Sequence, residues 1–442
     1  MKTFDQMGVQ IPQILIPKNI DVKTWSVVAC DQYTQDRDYW SQVQKIADSK
    51  PSTLNIILPE VYLNDNDKSD RIKNIGLKMK QYLDDGVFEQ PKNGFVYVER
   101  KTAYGRTRKG LVVSIDLETY EWKPFSKALI RATEATIVDR IPPRMEIRRG
   151  ASLELPHIML LVNDPLHSLV EKAGGFAKES GKVPLYCGDL MMESGSISGW
   201  LLESEAEVEG VRKAMEKLFE ANTAADGSTF LFAVGDGNHS LATAKAVWDE
   251  TKEKLKAEGL SDEEIAKSPV RYALVEIVNI YDEGLTFEPI HRVVFGIDGE
   301  NLVSAVESKL EGKVRFVASF EELEKSVHES KTNFGFVFKK NGKDTFVLLE
   351  TKITDLAVAM FQPVLDEVVK NDCNASIDYI HGSAEVRRLG SMDNAVSILL
   401  PPVAKDSFFA TINGRGPLPR KSFSMGEADE KRFYLECRRL FN

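Results

Sequence analysis

The chain has 442 residues, 43% of them hydrophobic and 28% charged, and 57 Lys and Arg against 67 Asp and Glu leave a net charge of −10. That length supports two or three domains, or one large body with a smaller lobe. An acidic body is a poor general binder of nucleic acid or anionic membrane, and no apolar run is long enough to span a bilayer, so neither partner is expected. Asp5 interrupts the segment that a signal peptide needs apolar, which points to a cytoplasmic protein. Cys30, Cys187, Cys373 and Cys437 form no Cys-x-x-Cys pair, so they read as buried or idle thiols rather than a zinc or redox site.

In chain order, residues 36–48 predict a helix with Tyr39, Trp40, Val43 and Ile46 on one face, and residues 68–83 predict another. Short strands are expected at 95–99 and 110–117. A buried strand is expected at 156–162, stopped by Asn163-Asp164-Pro165. Helices follow over 167–173 and 207–221. Beyond the glycine turn discussed next, residues 270–280 and 287–295 read as strands. Residues 300–350 alternate helix, strand, helix, strand, strand, with a turn at Lys340-Asn341-Gly342. A helix over 355–369 and a short strand at 398–400 complete a mixed α/β (α+β) protein.

Residues 228–245 carry the strongest local signal. An apolar run, Phe230-Leu-Phe-Ala-Val234, stops at Gly235-Asp236-Gly237, and a helical pattern begins at once. A strand feeding a helix through a glycine turn presents backbone N–H groups and a positive helix end, which suits an anion such as phosphate. The motif is neither a dinucleotide fingerprint, since a third glycine is missing, nor a Walker loop, since no Gly-Lys-Ser/Thr follows. Capping explains one polar residue here, but Asp236, Asn238, His239 and Ser240 crowd together. Asp236 could hold a metal or accept a proton. His239 could exchange protons near neutral pH or donate to a phosphoryl oxygen.

Residues 131–149 concentrate Arg131, Arg140, Arg144, Arg148 and Arg149 in an otherwise acidic chain. Arginine grips carboxylates and phosphates in two-point fashion. Arg148 and Arg149 read better as an ion-paired helix face, whereas Arg131 and Glu134 could form a phosphate clamp with a carboxylate base. The six histidines show no metal-ligand spacing. His157, at the head of an apolar strand, and His291-Arg292 are possible pocket residues or satisfied core residues. No Gly-x-Ser-x-Gly nucleophile elbow occurs.

These landmarks resemble, nearly end to end, the bacterial and archaeal family of unknown function numbered 1015. They include Ala29-Cys-Asp-Gln-Tyr33, Arg131-Ala-Thr-Glu134 with Arg140 and Arg144, and Glu154-Leu-Pro-His157. Asp236-Gly-Asn-His-Ser240, Pro289-Ile-His-Arg292, Asp378-Tyr-Ile-His-Gly382 and Pro419-Arg-Lys-Ser422 follow in order. The family usually shows Asp-Gly-His-His-Arg at the turn; here Asn238 and Ser240 replace the first histidine and the arginine. The turn is also similar to the phosphate-binding corner of the ParB, sulfiredoxin and free-serine-kinase group. That similarity implies a ParB/sulfiredoxin-like core and places Asp236 and His239 near a transferring phosphoryl group. It also implies Glu134 as a base toward a hydroxyl acceptor, ATP or ADP as co-substrate, and Mg²⁺ bridging phosphate oxygens and Asp236.

The expected organisation is a main body over residues 1–295 carrying the phosphate site, a small α+β lobe over 296–352, and a C-terminal segment over 353–442 packing back on the body. Gly235, Gly237, Asn238, Ser240, Arg131, Arg140 and Arg144 are the expected phosphate or nucleotide contacts. Asp236, His239 and Glu134 are the expected catalytic groups. The expected activity is nucleotide-dependent phosphoryl transfer to a small hydroxylated or amino-acid metabolite. A metal-assisted phosphate hydrolase and a non-catalytic nucleotide or metabolite binder are the alternatives.

Overall fold

The computed structural model describes residues 2–179 and 181–441. The mixed α/β class is what the chain adopts, with thirteen α-helices and a large mixed sheet among the described residues. It divides into two compact units, Met1–Leu285 with Glu427–Asn442, and Thr286–Gly426. No described helix is long and apolar enough to cross a membrane.

The first unit is built on a ten-stranded sheet. Its order is Tyr186–Asp189, Ser196–Leu202, Phe95–Lys101, Thr107–Asp116, Tyr272–Asn279, Met159–Val162, Phe232–Asp236, Ile130–Ala132 and Tyr120–Glu121, with Val9–Gln10 added beside Thr107–Asp116. The central strands are apolar on both faces: Met159, Leu160, Leu161 and Val162 are all buried. Such runs need cover on both sides of the sheet. The helix expected over 167–173 starts later, at Val170. Asp164 accepts the Ser168 and Leu169 N–H groups, and His167 sits at φ 52, so residues 164–169 form the entry turn.

The strand leading to the glycine turn, Phe232–Asp236, lies inside this sheet. It runs parallel to Ile130–Ala132 and antiparallel to Met159–Val162. The antiparallel register shifts between Val234 and Asp236, which leaves Gly235 as the extra residue of a bulge. Bulges re-aim the side chain that follows, here Asp236. Gly237 then adopts φ 83, and a Cβ at this position would lie 3.0 Å from Ile158 Cγ1. Glycine suits both the left-handed conformation and the close approach. The helix Asn238–Ala257 starts at once and buries Leu241, Ala242, Ala244, Val247 and Trp248.

The last residues return to this unit. The Trp25 indole donates to the Leu435 carbonyl at 2.9 Å, and Val28 bridges Phe433. Arg432 forms buried ion pairs with Glu276 and, at 2.6 Å, with Glu436. Burial alone would lower the Arg432 pKa, but Glu436 and Glu276 outweigh it and raise it.

The second unit holds a six-stranded antiparallel sheet. Its order is Lys313–Phe316, Lys343–Glu350, Phe334–Lys340, Ala395–Leu399, His291–Phe295 and Ser376–Ile380. Strand periodicity splits its core in two. Phe334, Phe336 and Phe338 pack with Leu302, Val306, Phe361 and Leu365, while Val337 packs with Phe320, Leu323 and Val386. The helices Gly299–Leu310 and Ala357–Lys370 therefore belong to one face, and Phe320–His328 and Ser383–Gly390 to the other. The observed division differs from the boundaries expected at 295/296 and 352/353. His291–Phe295 takes both ladder partners from later in the chain, 376–380 and 395–399, so the unit closes only when those strands have been made. The segment that rejoins the first unit begins at Glu427 rather than at 353.

Candidate functional site

The turn gathers polar groups on one side of the first unit. Asp236 Oδ1 accepts the Gly237 N–H at 2.9 Å, and its Oδ2 lies 3.5 Å from Lys431 Nζ. Asn238 serves the architecture. Its Oδ1 accepts the Thr133 N–H at 3.1 Å and its Nδ2 donates to Thr133 Oγ1 at 3.2 Å, while Thr133 donates to the Val234 carbonyl at 2.5 Å. His239 Nε2 accepts the Ile137 N–H at 3.3 Å, so a neutral imidazole carries its proton on Nδ1. The helix has no side-chain cap hydrogen bond at Gly237.

The loop 133–137 is thus stitched to the helix start at both ends, through Asn238 and His239, and Glu134 rides on that loop, half-buried. Arg131 is placed elsewhere. Its Nε donates to the Ala128 carbonyl at 2.9 Å and its guanidinium lies 4.5 Å from the Phe230 ring centroid. Both partners precede the parallel strand pair, whereas the turn follows it, so the Arg131 guanidinium occupies the opposite end of the strand from the turn. Burial lowers its pKa. The two-point phosphate clamp expected from Arg131 is therefore not assembled with Glu134. Arg140 is exposed and contributes its carbonyl to Arg144 Nη1 at 2.8 Å.

Behind the helix start lies a cavity of about 150 Å³, lined by Ile57, Leu58, Met79, Ile147, Leu153 and other apolar side chains. Its polar wall is made by Ser240, His157, Tyr434, Cys30, and the pairs Arg144–Glu60 and Arg148–Glu154. Arg144 Nε and Nη2 donate to Glu60 Oε1 at 2.9 and 2.5 Å. Burial raises the Glu60 pKa above the usual carboxylate value against the pull of Arg144. Burial also works to raise Glu154, but Arg148 and Arg438 outweigh it and hold this carboxyl below its usual range. Arg144 thus arrives at the site already paired. Arg148 and Arg149 are ion-paired as expected, though with Glu154 and Glu250, while Glu146 pairs with Lys68. Ser240 Oγ lies 2.7 Å from His157 Nε2, and His157 Nδ1 lies 3.1 Å from the Tyr434 hydroxyl, which accepts the Cys30 N–H at 3.1 Å. Burial pushes the Cys30 thiol and the Tyr434 phenol well up, so both stay neutral near pH 7.

The family model described as "Protein of unknown function (DUF1015)" matches residues 15–368. The chain belongs to the DUF1015 family. No curated protein matches it. Among solved structures, a conserved hypothetical protein from Pyrococcus furiosus is similar at 12% identity and a TM-score of 0.34, over 75% of this chain and 97% of that one. A mutant free serine kinase in complex with AMP is similar at 12% identity and a TM-score of 0.35, over 73% and 87%. SbnI with a C-terminal truncation, from Staphylococcus aureus, is similar at 9% identity and a TM-score of 0.33, over 71% and 83%.

In this DUF1015 chain His291 and Arg292 belong to the second unit and are core residues there. His291 Nδ1 accepts the Leu400 N–H at 3.1 Å, and Arg292 donates to Gln362 at 2.8 Å with its guanidinium 5.1 Å from the Tyr379 ring centroid. Burial lowers the His291 pKa from 6.5 to about 4, with Arg292 adding to the effect. Between those values the unfolded chain binds the proton and the folded one does not. Stability is therefore lost as pH falls from 6.5 to about 4, by roughly 3 kcal/mol in total for this group. Urea titrations from pH 7 to 4 should show that slope, and His291→Gln, which cannot titrate, should lack it.

Sequence reasoning missed Lys431, Tyr434, Cys30 and Glu60. Cys30 lies in a motif already singled out, but only as a landmark. Lys431 and Tyr434 are far along the chain from the turn and carry no spacing signal. Among the described residues no group of three or more His, Cys, Asp or Glu could hold a metal ion. Asp236 is paired with Lys431, a set that fits Mg²⁺ only as an ion delivered with substrate phosphates, which needs one or two protein carboxylates.

Proposed function

We propose that the protein is a nucleotide-dependent enzyme that transfers a phosphoryl group to a small hydroxylated or amino-acid metabolite. The observation that carries this reading is the glycine-led start of a 20-residue helix after a bulged strand, with Asp236 and the buried Lys431 beside it. Such a helix end favours a phosphate, and Lys431 adds the cation that the arginine of the usual family motif would bring. The resemblance of the turn to a phosphate-binding corner supplies the nucleotide, ATP or ADP. In this role Asp236 would hold a Mg²⁺ carried by the nucleotide, which neutralises charge on the phosphates. His239 would donate from Nδ1 to a phosphoryl oxygen, and Glu134 would accept the proton of the acceptor hydroxyl. Transfer of this kind rests on positioning and charge stabilisation more than on covalent chemistry.

One observation favours binding without catalysis: Asn238 is committed to Thr133, and Ser240 to His157. Calorimetry with ATP and ADP, with and without Mg²⁺, followed by incubation with pooled hydroxylated metabolites and amino acids, separates the readings. Saturable binding with a phosphorylated product supports the enzyme. Binding without product over long incubation selects the sensor. Phosphate release from a phosphorylated metabolite without nucleotide selects a hydrolase, and absence of all three overturns the site.

A further inference from the structure

The wall of the cavity contains a second arrangement that nucleotide chemistry does not use. Ser240 Oγ and His157 Nε2 are 2.7 Å apart, and the far nitrogen of the same ring meets the Tyr434 hydroxyl at 3.1 Å. Tyr434 is itself fixed by the Cys30 N–H and stands edge-on to the imidazole, with ring centroids 5.5 Å apart. A hydroxyl within hydrogen-bond reach of an imidazole that a third group orients is the pattern of an activated nucleophile. The cavity beside it is of the size that holds a benzene ring. The charged side chains on its wall are paired, Arg144 with Glu60 and Arg148 with Glu154, so it offers no surplus charge for an ionic group.

We propose that Ser240 is a nucleophile activated by His157, and that the cavity takes the small uncharged, apolar acyl group of an ester. In the first step Ser240 Oγ bonds to the ester carbonyl carbon and its proton passes to His157 Nε2. The bond from that carbon to the leaving alcohol oxygen breaks, and the alcohol departs with the proton from His157. A water molecule then repeats the sequence on the acyl-serine and releases the carboxylic acid. Nδ1 keeps its proton throughout and donates to the Tyr434 oxygen, which makes Tyr434 a positioning residue. This activity is independent of the nucleotide reading, which rests on the helix backbone, Asp236 and Lys431.

The test uses the full chain, p-nitrophenyl butyrate as substrate and a fluorophosphonate as covalent probe. Wild type should hydrolyse the ester above the rate in buffer and acquire one probe adduct, located on Ser240 by peptide mass spectrometry. Ser240→Ala should lose both, and His157→Gln should lower the hydrolysis rate about 10²–10⁴-fold. Tyr434→Phe should lower kcat with little change in KM and move the pH profile. Circular dichroism and thermal melts establish that each variant is folded. No adduct on folded wild type, an adduct elsewhere, or hydrolysis that survives Ser240→Ala overturns the proposal. None of these outcomes bears on nucleotide binding measured in the same preparations.

Discussion

Asp236→Ala is expected to reduce the proposed nucleotide-dependent phosphoryl transfer by about 10²–10³-fold, the loss typical of removing one group that stabilises transition-state charge. The bulge at Gly235 aims this carboxylate, and the Gly237 N–H and Lys431 hold it. Asp236→Asn separates charge from architecture, because the amide oxygen still accepts the Gly237 N–H. If the charge matters, the Asn variant should be nearly as impaired as the Ala variant. Binding of ADP without Mg²⁺, which in the proposed reading relies on the helix backbone, should change only a few-fold in both. Full activity in Asp236→Asn would remove Asp236 from the chemistry.

Arg432→Met is expected to destabilise the protein by about 3 kcal/mol, the low end of the cost of breaking a buried ion pair. Glu276 and Glu436 are 1% and 0% exposed and lose their main partner. The loss is moderated because Arg108 Nε remains 3.7 Å from Glu276 Oε1 and the Tyr186 hydroxyl donates to Glu436. Urea denaturation should show a lower midpoint in Arg432→Met. The triple variant with Glu276→Gln and Glu436→Gln should recover much of it, since no buried carboxylate is then left unpaired. The segment held by Arg432 also carries Lys431, so the same variant should weaken the proposed nucleotide binding.

Local structure was legible where the signal was local. The block 300–350 folds in the order its periodicity predicts, and the reverse turn at Asn341-Gly342 takes φ values of 52 and 74 as an Asn-Gly hairpin requires. The strand, glycine turn and helix at 232–257 were legible for the same reason, because Gly237 supplies a conformation that most residues avoid. Two features of the turn were not. The bulge depends on the neighbouring strand, and the commitment of Asn238 to Thr133 depends on a parallel strand from elsewhere in the chain.

The arginine cluster illustrates the limit more sharply. Composition singled out Arg131 and Arg144 together, yet Arg131 lies against Phe230 and Arg144 lies in the cavity wall against Glu60. Nothing in their spacing separates those fates. By itself the sequence determined the mixed α/β class, the family, and the chain reversal at Gly235–Gly237, since hydrophobic period and glycine conformation are properties of a few adjacent residues. Only the tertiary structure decided which groups surround that reversal. Cys30, His157 and the Lys431–Tyr434 segment are each separated by more than a hundred residues, and their meeting follows from sheet order and buried pairing rather than from any short run of residues.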